Sequence, residues 1–194
     1  MPDIGPSTAG RIHEYDAKHR QACANAIKSC SSQVPGAGIQ MNGSIITKDM
    51  IDGAADRLKD GSIRLYLGNH QQDEAGGYTG KDQAITLRMV GPRAATTMTG
   101  LKCLLIHEIV HAAHHIAGKP MSNYTDEGLA FAVEAVVRLS FKLPLDQVCS
   151  AALGLIGSGG LGDPVADLNR ALSEARYRDY AKKYHVTRFR RKKA

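Results

Sequence analysis

Nowhere in these 194 residues does an apolar run approach the roughly 20 residues that a membrane-spanning helix needs. Residues 1–10 have neither the basic start nor the apolar middle of a secretory signal. The expectation is a soluble chain that stays in the cytoplasm, or one exported by a route that leaves no cleavable signal. The four cysteines, Cys23, Cys30, Cys103 and Cys149, form no CxxC pair and suggest no disulfide framework. Cys23 and Cys30 fall on one face of an expected helix and read as packing thiols, because two thiolates alone do not complete a metal site. No internal repeat stands out.

A net basic charge is also missing from the body of the chain, despite a formal net charge of +6. Lys182, Lys183, Arg188, Arg190, Arg191, Lys192 and Lys193 cluster near the C-terminus with no acid among them. Removing those seven charges from +6 leaves the remainder at −1. No broad nucleic-acid-binding face follows. The basic end suits contact with RNA, an anionic membrane or an import receptor, and equally suits a solvated, mobile tail.

Against this background one motif carries chemistry. His107-Glu108-Ile109-Val110-His111 is an HExxH box inside an otherwise apolar stretch. Its spacing gives about 0.01 chance matches in a chain of this composition. Residues 97–118 read as one helix, with Thr97 or Thr99 as cap, Leu101, Leu104, Leu105, Ile109 and Ala112 as apolar face, and Gly118 with Pro120 as stop. Positions four apart share a helix face, so His107 and His111 can offer ring nitrogens to one metal ion. Glu108 stands where its carboxylate can reach a water on that metal and take its proton. The pattern implies zinc and a hydrolytic reaction.

A catalytic zinc takes three protein ligands and keeps a fourth position open. His114 and His115 lie too far along the same helix to join His107 and His111. The next segment, residues 123–134, has Thr125 as a cap, Asp126 and Glu127 in the first turn, and Leu129 and Val133 on a helical stripe. A short connection would fold it back along the HExxH helix. Glu127 is the expected third ligand. Asp126 is the competitor, or else an acceptor for a ligand histidine N–H. First-turn acids can also serve only to complement the helix dipole. Tyr124, and after it Tyr78, are the nearest donors for the oxyanion that forms when water attacks a carbonyl.

The HExxH box followed by Glu127-Gly128-Leu129-Ala130 resembles the zincin metallopeptidases of the gluzincin branch, over about residues 84–140. The stretch 111–118 is also similar to small zinc proteases that some bacteria inject into host cells. The resemblance implies zinc ligands His107, His111 and Glu127, with Glu108 as general base. It implies an α+β, zincin-like fold in which a small mixed sheet packs on the HExxH helix, with further helices on either side. It also implies an extended protein or peptide substrate aligned by an edge strand. The chain departs from the metzincin pattern, with His114 where glycine is needed and Ala117 where a ligand is needed. The same residues also suit a binding or regulatory module that keeps the metal without turnover.

The rest of the chain reads as supporting elements of a domain over 1–187, with 188–194 a basic tail. A helix is expected from about Thr8 to Cys30, a hairpin at Asn42-Gly43, and a helix from Thr47 to Gly61. Strands follow at 62–67 and 84–90, joined by a polar loop holding Gly76-Gly77-Tyr78. Residues 84–90 are the expected strand beside the cleft, free to pair with substrate. A last helix is expected from Asp163-Pro164 to about Tyr184.

Overall fold

Asn42 and Gly43 both adopt positive φ, +50° and +75°, and turn the chain between β2 (Ile39–Met41) and β3 (Ser44–Ile46). Asparagine and glycine tolerate that region and most residues do not, so the turn follows from the sequence. The structure, a computed structural model, describes residues 11–68, 76–88, 99–118 and 123–157. The last expected helix, the basic end and residues 1–10 lie outside the described residues.

Before the hairpin come β1 (Arg11–Glu14) and α1 (Ala17–Ser31), capped by the Asp16 side chain, which accepts from His19 N–H. The expected helix from Thr8 therefore starts too early. Residues 11–14 form a strand because they pair with a distant one, a constraint that local periodicity does not carry. After the hairpin, α2 (Lys48–Asp60) begins at the Thr47 cap and stops at Gly61, whose φ of +91° suits glycine. Then follow β4 (Arg64–Gly68), β5 (Gly76–Thr79) and β6 (Ala84–Arg88).

The main sheet has the order β1-β4-β6-β5, with β4 and β6 parallel and both outer pairings antiparallel. The fold is thus α+β with a small mixed sheet. This order corrects the expectation for residues 84–90. β6 is paired on both sides and offers no free edge. Among the described residues the outer strands are β1 and β5, and β5 is built from residues expected to be a loop. Four residues containing two glycines carry almost no strand signal of their own, and pairing with β6 supplies it.

Two long helices complete the frame, α3 (Thr99–Ile116) and α4 (Asn123–Ser140), followed by short α5 (Gln147–Ala152) and α6 (Gly154–Gly157). α3 is central: Cys103, Leu105, Ile106, Ile109, Val110, Ala112 and Ala113 are all buried. A helix that is apolar nearly all round must be covered on every side. Here α1 and α2 cover part of it, α4 another part, and β5 and β6 the rest. Each fully buried side chain such as Leu105 or Ile106 contributes about 1.5–3 kcal/mol. Gly118, at φ +65°, ends the helix region where the sequence suggested.

All four cysteines are free and buried. Burial pushes the Cys23 and Cys103 thiols up to about 11, which suits packing rather than reactivity.

Candidate metal centre

Three polar residues of α3, His107, Glu108 and His114, are buried at 7, 5 and 3 % exposure. Unpaired, each would cost several kcal/mol at most such sites, so each needs a partner. α4 supplies them. Glu127 Oε2 lies 3.4 Å from His107 Nε2 and 3.8 Å from His111 Nε2. One ligand atom from each of His107, His111 and Glu127 falls within 4.8 Å of the others. This is the group that can hold a metal ion among the described residues.

The second nitrogen of each ring is held from behind. His107 Nδ1 lies 3.0 Å from Glu134 Oε2, and His111 Nδ1 lies 2.9 Å from Asp126 Oδ2. An ionised carboxylate only accepts, so both Nδ1 atoms donate. That leaves the Nε2 atoms of both rings directed at Glu127, each able to give up its proton and offer a lone pair to a metal. Phe131 meets the His107 ring edge to face, with centroids 4.6 Å apart, and limits its rotation. The two imidazoles stand 5.0 Å apart at 72°.

Donors at the zinc distances of ~2.0–2.1 Å, arranged tetrahedrally, sit about 3.4 Å from one another. The separations of 3.4 and 3.8 Å are close to that edge length. Charge points the same way. Glu108, Asp126, Glu127 and Glu134 surround the rings, with Arg138 as the guanidinium bound to Glu134 at 2.7 Å. Without a metal, this excess of carboxylates draws protons onto the histidines. Burial lowers His107, but hydrogen bonds to Glu127 and Glu134 outweigh it and raise it well above its ordinary value. Burial likewise lowers His111, yet Asp126 and Glu127 lift it to about 9. A divalent cation would satisfy the same field.

Asp126 sits in the first turn of α4 and Glu127 just after it, so one helix start presents both acids to α3. Thr125 does not cap the helix, which begins at Asn123; its Oγ1 instead accepts from Asn42 Nδ2 at 3.0 Å. That bond ties the β2–β3 turn to the start of α4. Glu108 faces β5. A Cβ at Gly76 would lie 3.4 Å from Glu108 Oε1 and 3.3 Å from both Leu104 Cδ2 and Thr86 O. Only a bare backbone brings the edge strand this close.

The two expected oxyanion donors differ in outcome. The Tyr124 side chain lies outside the described residues. Tyr78 is in β5, edge-on to His115 with centroids 5.8 Å apart, and its hydroxyl is buried without a hydrogen-bond partner among the described residues. Burial pushes that hydroxyl up to about 12, so it remains an O–H donor at neutral pH.

Sequence reasoning missed Glu134. Its signal was present: it lies seven residues after Glu127, two helical turns along one face, within the apolar run 129–137. A carboxylate in such a run needs a partner. No protein-family model, curated protein or solved structure matches this chain.

Proposed function

We propose that this protein is a zinc-dependent metallopeptidase that hydrolyses peptide bonds of a protein substrate. The observation that supports it is the convergence of His107 Nε2, His111 Nε2 and Glu127 Oε2 while both Nδ1 atoms are held by carboxylates. Three N/O ligands suit a catalytic rather than a structural zinc, which normally has four protein ligands. Zinc held there supplies Lewis acidity, polarising a carbonyl and lowering the pKa of water from about 15.7 to about 7.

The chain's own residues divide the remaining work. Glu108 takes the proton of the attacking water and passes it to the leaving amine, a role its place beside the first ligand suits. Among the described residues β5 is an outer, antiparallel strand next to Glu108, where an extended peptide can add as a further strand. Tyr78 is the donor candidate for the developing oxyanion, because its hydroxyl is protonated and unpaired among the described residues.

The test is proteome-wide profiling of new N-termini generated by the wild-type protein and by Glu108→Gln. The wild type should generate termini that the variant does not, with both proteins binding one zinc. Identical profiles from the two would remove Glu108, and with it the peptidase reading.

A further inference from the structure

Resting on the zinc reading above, we infer that Glu134 and Arg138 form a brace that positions His107 and sets how tightly the metal is held. Glu134 is buried at 6 % exposure and spends each carboxylate oxygen on a different partner. Oε2 accepts from His107 Nδ1 at 3.0 Å, and Oε1 accepts from Arg138 Nε at 2.7 Å. With Oε1 filled, the carboxylate can present Oε2 to the ring in only one orientation. Charge-assisted bonds of this kind are short and directional.

Arg138 is itself held. Its Nη1 donates to Pro144 O at 3.2 Å, and its backbone carbonyl accepts from Leu143 N–H at 2.9 Å. The turn after α4 therefore clamps the guanidinium, the guanidinium clamps Glu134, and Glu134 clamps the ligand ring. His111 has a different arrangement. Its carboxylate, Asp126, is the neighbour of the ligand Glu127 at the start of α4. The two histidines are thus braced from opposite ends of the segment 126–138. The His107 brace reaches out of the helix, to the chain that leads into α5.

Both are positioning residues, since neither offers an atom to the metal. Outer partners of this sort typically change metal affinity 10–100-fold when removed. Lysine at 138 would keep the charge but lacks the fork that reaches Glu134 and Pro144 together.

The experiment is zinc competition against a chromophoric chelator, paired with the visible spectrum of the cobalt-loaded protein. It uses the full chain as wild type, Glu134→Gln, Arg138→Met and Arg138→Lys. Glu134→Gln should raise the zinc dissociation constant about 10–100-fold and shift the cobalt bands. Arg138→Met should move both in the same direction by less, and Arg138→Lys should recover part of the loss. Merely structural residues would lower the melting temperature without moving the cobalt bands. Should Glu134→Gln fail to fold, the two Arg138 variants carry the same readouts. Variants that bind zinc with wild-type affinity and give the wild-type cobalt spectrum overturn the brace alone. A wild-type chain that binds neither metal overturns the zinc reading as well.

Discussion

Asp126 holds two histidines of one helix at once: Oδ2 accepts from His111 Nδ1 at 2.9 Å, and Oδ1 from His114 Nδ1 at 2.6 Å. The carboxylate is thereby fully used on α3, which explains why it stands behind the site while Glu127 faces into it. Asp126→Asn keeps one acceptor and replaces the other with an amide NH2 donor, so one of the two bonds must fail. Zinc affinity is expected to fall about 10–100-fold. His114→Ala leaves the Asp126–His111 bond intact, so its zinc affinity should fall by less than the roughly 10–100-fold expected of a direct partner of a ligand. Chelator competition measures both. Equal losses in the two variants would mean that Asp126 acts on the helix pair rather than on His111.

Gly76 gives a second prediction. A side chain there meets Leu104, Thr86 O and Glu108 Oε1 at 3.3–3.4 Å, so valine must push β5 away from α3. Overpacking of this kind costs about 1–3 kcal/mol. The proposed ligands sit on α3 and α4, so Gly76→Val should bind one zinc, melt lower, and lose turnover. Unchanged turnover in a stably folded Gly76→Val protein would show that β5 does not border the reacting bond.

Tyr78 separates stability from activity. Its buried hydroxyl has no partner among the described residues, and a hydroxyl left so costs about 1–3 kcal/mol in the resting fold. Tyr78→Phe should therefore melt higher than wild type. If the hydroxyl donates to the oxyanion, turnover should fall about 100-fold in the same variant. A higher melting temperature with full turnover would assign the donor role elsewhere, with Tyr124 next to be tested.

The metal-free and zinc-loaded proteins should respond oppositely to pH. In the metal-free chain, burial lowers His111 but Asp126 and Glu127 raise it to about 9, above the ~6.5 of an unfolded histidine. A raised folded value means that the protonated ring stabilises fully below about pH 6.5. That contribution is lost as pH climbs through about 9. Zinc requires the neutral ring, so its binding strengthens over the same interval. Melting curves at pH 6 and pH 9 should show the chelated protein weakening while its gap to the zinc-loaded protein widens. A gap that narrows on going to pH 9 would contradict the assignment of His111 as a ligand.

Much of this arrangement was readable from local chemistry. The Asn42-Gly43 turn, the Thr47 cap, the Gly61 stop and the HExxH helix each follow from residues within a few positions of one another. β1 and β5 were not readable, because Arg11–Glu14 and Gly76–Thr79 become strands only by pairing with β4 and β6. The choice between Asp126 and Glu127 was open for a similar reason. Adjacent acids have the same sequence signal, and only the angle between α3 and α4 decides which one meets Nε2. Glu134 was legible in principle, as a lone acid on an apolar face, but its partner lay 27 residues away.

Metal content, measured by mass spectrometry on extensively dialysed protein, bears most directly on the centre itself. The wild type should retain one zinc per chain, and His107→Ala, His111→Ala and Glu127→Ala should each retain far less while remaining folded. A wild type without stoichiometric zinc, or a Glu127→Ala variant that keeps it fully, would contradict the three-ligand site.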